Sequence, residues 1–151
     1  MSLHSLKLPD VNVLLHAVDA THPNHAVARN WLQGAFVDGG GVGFAWLVLV
    51  GFVRVSTRKG ILTTPLPVAD SLSVMDEWLH QVGSRVVHPG NRHAGVMGTL
   101  LLAAGTAGNL TNDAHLATLA IEHNATVGTF DKDFKRFPGV KIDLLKSSPI
   151  Q

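Results

Sequence analysis

Along the chain, stretches with apolar residues at three- and four-residue steps alternate with short β-branched runs. In residues 112–124, Ala114, Ala117, Ala120 and Ile121 fall on one stripe, which predicts a helix with a buried face and Asp113 in its first turn. The next run, 125–130, is short, apolar and β-branched, which predicts a buried strand stopping at Asp131-Lys132-Asp133.

At the other end of the chain, Leu6-Lys7-Leu8 reads as a strand ended by Pro9 and Asp10, and Val11, Val13, Leu14 and Leu15 begin a helix. Thr21-His22-Pro23 predicts a helix start with proline in the first turn, and Ala26, Val27, Asn30 and Trp31 carry the spacing to Gln33. Glycines at 39–41 break the chain before a strand at 42–44 and a strongly apolar helix over 45–57. A loop with two prolines, 61–67, separates it from a helix beginning at Val68, marked by Leu72, Met75, Leu79 and Val82 and stopped at Gly83. Further elements are a strand at 85–87, a helix at 91–104 with Val96, Leu100, Leu101 and Ala104 inside, a glycine-rich loop through Asn109, a turn at 134–137 and a strand at 140–144. Such alternation predicts an α/β fold: a mostly parallel sheet with helices on both faces.

Composition narrows the class. A chain of 151 residues, 46% apolar, without repeats or an interdomain linker, predicts a single domain over 1–151 with a sizeable core. The formal charge of +1 names no partner, so any polyanion site must come from local clusters of Lys and Arg. The absence of cysteine excludes disulfides, thiolate metal sites and cysteine nucleophiles, and fits a reducing cytoplasm. No apolar core of a signal peptide precedes Pro9, and the most apolar stretch, 42–55, is too short to span a bilayer and carries Arg54. A soluble protein is expected.

Chemistry enters with three carboxylates. Asp10 and Asp131 each follow a strand, and Asp113 opens the helix that feeds the second of those strands. Taken singly, each has an ordinary structural role, in a helix first turn or an Asx turn. In a parallel sheet, however, ligands bind beyond the carboxyl ends of the strands, where all three should converge. Clustered carboxylates repel, and the remedies are raised pKa values or a bound cation. Oxygen donors without cysteine suit Mg²⁺ or Mn²⁺, ions that bridge phosphates, so a phosphodiester or phosphate ester is the natural substrate.

Three motifs, LKLPDVNVLL, GFVRVSTRKG and LTNDAHLATLAIEHNATVGTFDKDFKRFPGVKI, resemble a PIN domain and, within that family, the VapC ribonuclease toxins of VapBC toxin–antitoxin pairs. The likeness runs in order and spacing over residues 6–143. It implies a PIN-like three-layer fold with a five-stranded parallel sheet, RNA cleavage dependent on Mg²⁺ or Mn²⁺, a homodimer, and inhibition by a cognate VapB-type antitoxin. Asp10, Asp113 and Asp131 would form the acidic metal site, supported by hydrogen bonds from Asn12 and Thr129. The chain departs from the family at one place: a second acid, often Glu, is usual on the helix after the second strand, where Gly51 stands.

Asp133 fits a rim position at that site and, more simply, a surface Asx turn, and Asn112 fits the N-cap of its helix. Arg54, Arg58 and Lys59, with Lys132, Lys135 and Arg136, flank the acids in sequence and suit phosphate contacts; Arg54 and Arg58, four apart, share a helix face. His22, His25 and His115 read as structural among nine scattered histidines, and Trp31, Trp46 and Trp78 as core packing. Two rival functions are a degenerate PIN domain that binds RNA or protein without cutting, and a dehalogenase-like phosphatase. The latter expects a second Asp two residues after the first, where this chain has Asn12.

Overall fold

A computed structural model describes residues 5–147. Strands β1 (Lys7–Pro9), β2 (Val42–Phe44), β3 (Ser84–Val86), β4 (Thr126–Thr129) and β5 (Lys141–Leu144) form one sheet in the order β3-β2-β1-β4-β5, all pairs parallel. Helices α1 (Val11–Val18), α2 (His25–Val37), α3 (Trp46–Ser56), α4 (Val68–Leu79), α5 (His93–Ala104) and α6 (Thr111–Glu122) supply the crossovers. The expected five-stranded α/β architecture is therefore present. Residues 1–4 and 148–151 of the expected domain lie outside the described residues.

Topology explains the layers. From β1 the chain steps outward to β2 and β3, then crosses back past β1 to β4. Right-handed crossovers running in opposite directions put their helices on opposite faces, α1 to α4 on one and α5 and α6 on the other. The reversal lies between β1 and β4, so a crevice opens at their carboxyl ends.

Both sheet faces are covered, which is why the strands read as apolar runs: Leu8, Val42, Phe44 and Val127 are wholly buried. On α3, Val48, Leu49 and Phe52 face the core. At roughly 1.5–3 kcal/mol for each buried side chain they hold the helix down without help from its outer face. Trp46, Leu47 and Val50 on that outer face are consequently left exposed, so Trp46 is not the core residue expected, whereas Trp31 and Trp78 are half-buried against the core. Trp31 lies across β4 where Gly128 has no side chain; a Cβ there would come within 2.2 Å of the indole ring. Its Nε1 donates to Asp143 at 2.9 Å, and Lys7 pairs with the same carboxylate at 3.0 Å, tying α2, β1 and β5 together.

Several boundaries differ from expectation. Thr21-His22-Pro23 forms a turn rather than a helix start, and α2 begins at His25 and runs past Gln33 to Val37. Asp19 organises that turn, accepting from the backbone N–H and hydroxyl of Thr63, each at 3.1 Å. Helix α4 stops at Leu79, short of Gly83, and Val82 is exposed. Leu72 is also exposed, the inner face of α4 being Ser71, Met75 and Trp78. In α5 only Leu100 is fully buried; Val96, Leu101 and Ala104 are partly covered. The glycine-rich loop before α6 contains a 3-10 turn, Gly108–Leu110, pinned by buried Leu110.

Candidate active site

The pairing of Pro9 with Gly128 sets Asp10 beside Thr129 at the carboxyl ends of β1 and β4. Asp10 is extended and caps α1: one carboxylate oxygen accepts from Val11 N at 2.8 Å, the other from the Thr129 hydroxyl at 2.8 Å. Thr129 is fully buried, and its hydroxyl oxygen in turn accepts from Asp131 N at 3.0 Å. Asn12, on the first turn of α1, accepts from Phe130 N at 3.4 Å. Hydrogen bonds made by Asn12 and Thr129 thus fix the two strand ends relative to each other.

Asp131 caps the short 3-10 helix Lys132–Arg136 by accepting from Asp133 N at 2.9 Å. Cap and Asx-turn roles therefore do exist for Asp10 and Asp131, yet each carboxylate retains lone pairs facing the crevice. Asp133 itself is exposed beside the crevice and does not line it.

Asp113 arrives from the opposite face of the sheet, in the first turn of α6. Among the described residues its carboxylate accepts no hydrogen bond. The N-cap position of α6 is Leu110, without a side-chain cap. Asn112 is therefore not the cap expected of it; it sits inside the first turn, exposed, because the preceding 3-10 turn already starts the helical winding.

Asp10, Asp113 and Asp131 line one cavity of about 560 Å³, whose other wall is α3 with Leu47, Val50, Gly51 and Arg54. Their electrostatics follow from that convergence. Burial pushes the Asp10 carboxyl above its ordinary range, against the hydrogen bonds from Thr129 and Val11 and together with the Asp131 charge. Asp113 is pushed up to about 7, first by burial and then by the carboxylates of Asp10, Asp131 and Asp133.

Of the basic residues, Arg54 lines the cavity, and among the described residues its guanidinium makes no ion pair or hydrogen bond. Arg58 and Lys59 are exposed further along and do not line it; nor do Lys132, Lys135 or Arg136, the last donating to Ala104 O at 2.7 Å. The histidines are engaged elsewhere: His22 accepts from Asn24 N, His25 contacts His16 O, and His115 bonds His93, which bonds Glu122. Sequence reasoning missed Asn109, on the cavity wall beside Asn112; its place three residues before Asn112 was the available signal.

All-oxygen donors with two carboxyls held off their ordinary acidity suit a hard divalent cation. Among the described residues, however, no three His, Cys, Asp or Glu side chains gather closely enough to hold one ion jointly. The expectation that Asp10, Asp113 and Asp131 all ligate one metal is corrected to that extent, since α6 approaches from the far side of the crevice. Mg²⁺ keeps several waters and commonly takes one or two carboxylates, so the pocket fits an ion held by a carboxylate pair. No described helix is long and apolar enough to cross a membrane.

Comparison with known proteins gives consistent results. The PIN domain profile matches residues 7–140. Ribonuclease VapC37 of Mycobacterium tuberculosis is 43% identical over 138 residues, 91% of this chain and 96% of that protein. Ribonuclease VapC33 of the same species is 37% identical over 134 residues, 89% of this chain and 94% of that protein. Among solved structures, VapBC2 from Rickettsia felis, bound to a DNA fragment from their promoter, matches with a TM-score of 0.69 at 21% identity, over 93% of this chain and 99% of that chain. VapBC-1 from nontypeable Haemophilus influenzae matches at 0.64 and 17% identity, over 91% and 96%. At such identities the structural matches speak for the fold alone.

Proposed function

The chain belongs to the PIN domain family, and from that premise we propose that it is a Mg²⁺- or Mn²⁺-dependent endoribonuclease, the toxin of a type II toxin–antitoxin pair. The observation that carries the reading is the convergence of Asp10, Asp113 and Asp131, from three separate parts of the chain, on one cavity. Relatives that bear the name ribonuclease over nearly their whole length supply the reaction class.

In this reading Asp10 and Asp131, locked together through Thr129, hold the ion. When bound, such an ion supplies positive charge to phosphate oxygens and acidifies a water. Hydrolysis adds water to phosphorus and breaks the bond to the leaving oxygen, and the attacking water must lose a proton. Asp113, on the same cavity, suits that task as the carboxylate that orients the water and accepts its proton. Arg54 pairs with a phosphate at the cavity wall, and Arg58 and Lys59 extend the basic track outside it. A VapB-type antitoxin, a homodimeric assembly and a cytoplasmic location belong to the same proposal.

One observation favours a second reading, an RNA or protein binder without catalysis. Gly51 lines the cavity where the family usually carries an acid, leaving the α3 wall without a carboxylate. Incubation of the purified protein with total cellular RNA, with and without Mg²⁺ or Mn²⁺, decides between them by mapping new 5′ ends. Discrete metal-dependent cuts, lost in Asp131→Asn, are expected of the enzyme; RNA retained but uncut would establish the binder.

A further inference from the structure

We propose that Asn109 and Asn112 form a base-reading edge of the cavity, recognising one unpaired nucleotide next to the phosphate that is cut. The inference rests on the ribonuclease reading above and names how its substrate is selected.

Asn112 does not spend its amide on capping α6, and among the described residues neither asparagine side chain makes a hydrogen bond. Both are exposed, and both line the same cavity as the three carboxylates. Their mounting is firm. Asn109 lies within the 3-10 turn Gly108–Leu110, closed by Leu110 N donating to Ala107 O at 2.8 Å and anchored by buried Leu110; Asn112 lies within α6 itself. Two amides mounted on that turn and on the first turn of α6 offer donors and acceptors at the cavity, the groups that discriminate among base edges.

The facing wall supplies the complementary surface. Leu47 and Val50 on α3, 40% and 59% exposed, put an apolar strip on the cavity wall. Arg54 continues that strip with an uncommitted guanidinium. An unpaired base has a flat apolar face and a polar edge, and is characteristically held by stacking on apolar, aromatic or guanidinium groups with its edge hydrogen-bonded. A cavity with an apolar and cationic wall on one side and two free amides on the other matches that pair of surfaces. Double-stranded RNA presents no free base edge to such a cavity.

The test uses labelled single-stranded RNA oligonucleotides differing at one base, and their 2′-deoxy counterparts, with wild type, Asn109→Ala, Asn112→Ala and Asn112→Gln. Binding is followed by anisotropy in EDTA, where cleavage is suppressed, and cleavage separately with metal. Wild type should distinguish the best base from the worst by about ten-fold, the scale of one good amide–base contact, and each Ala variant should flatten that ratio while its melting temperature stays near that of wild type. A wild type that binds with a base preference lost in the Ala variants but never cuts would leave the base-reading edge standing and remove the ribonuclease reading. Wild-type cleavage with the same base ratio in both Ala variants would overturn the inference alone. It would also be overturned if the variants lose only discrimination of ribose from 2′-deoxyribose, since the amides would then read sugar.

Discussion

The Thr129 hydroxyl donates to Asp10 at 2.8 Å while its oxygen accepts from the backbone N–H of Asp131 at 3.0 Å. One buried hydroxyl, 119 positions from Asp10 in sequence, therefore sets the spacing of two carboxylates that follow β1 and β4. Thr129→Val keeps the shape and removes both bonds. Leaving buried polar groups unpaired costs roughly 1–3 kcal/mol, so a lower denaturation midpoint is expected, together with weaker metal binding. Thr129→Ser should recover most of both. Urea unfolding and metal titration of the two variants check this; equal metal affinity in the Val variant would mean that Thr129 supports the fold and not the site.

Asp113 makes stability depend on pH in an unusual direction. Its folded-state pKa is raised to about 7 from 3.8, so the native state holds its proton more tightly than the unfolded chain. Its contribution is fully present below about pH 4 and is lost as pH rises through about 7. His16 and His115, lowered chiefly by burial, act oppositely, losing stability as pH falls through their ordinary range. The difference between wild type and Asp113→Asn isolates the carboxyl: the variant should gain melting temperature relative to wild type as pH goes from 5 to 8. Saturating Mg²⁺ or Mn²⁺ should shrink that difference. A pH-independent difference would show that Asp113 carries no unusual proton.

How much of this was legible in the sequence depended on whether local pattern or tertiary packing set each feature. Residues 42–44 were bounded correctly because a glycine breaker precedes them and an apolar helix follows. The Asp10 and Asp131 positions could be read because parallel strands end in turns that face one edge. Gly83 was misread as a helix stop. Its φ of +89° serves instead the approach of β2 and β3, where Gly83 O accepts from Val42 N at 2.8 Å and a Cβ on Gly41 would lie 2.3 Å from that same oxygen. Nor could the exposure of Trp46 be foreseen, since α3 is apolar on all sides and only the sheet decides which side is inner. Asn112 failed as a cap because a 3-10 turn, invisible to helical periodicity, precedes it.

Gly128 offers a test of the packing beneath the site. A Cβ at that position would lie 2.2 Å from the Trp31 ring, which is itself fixed by its bond to Asp143. Gly128→Ala should cost at least the 1–3 kcal/mol typical of overpacking, because neither a central strand nor an anchored indole can yield cheaply. Combined with Trp31→Phe, which removes part of the ring and the hydrogen bond, the cost of the Ala substitution should fall. Denaturant midpoints of the two single variants and the double variant give the coupling directly; simple additivity would contradict the described packing.

Gly51 connects the family departure to a measurable quantity. It is buried on α3 and lines the cavity, yet a Cβ there meets only Val11 at 3.5 Å, an ordinary contact. Gly51→Ala should therefore stabilise the protein by up to about 1 kcal/mol through helix propensity alone. Gly51→Glu adds the same propensity but places a fourth carboxylate near three others, so without metal it should be less stable than Gly51→Gln, its uncharged counterpart. With Mg²⁺ or Mn²⁺ the order should reverse, because the added charge now pairs with a cation. Calorimetric titration should accordingly find tighter metal binding in the Glu variant than in wild type or the Gln variant. Wild type should bind at most one ion weakly in the absence of RNA, since no three acidic or histidine side chains among the described residues share an ion. Two ions bound tightly by wild type alone would mean that another residue supplies the missing ligand, and the assignment of Asp10 and Asp131 as the ion-holding pair would fall.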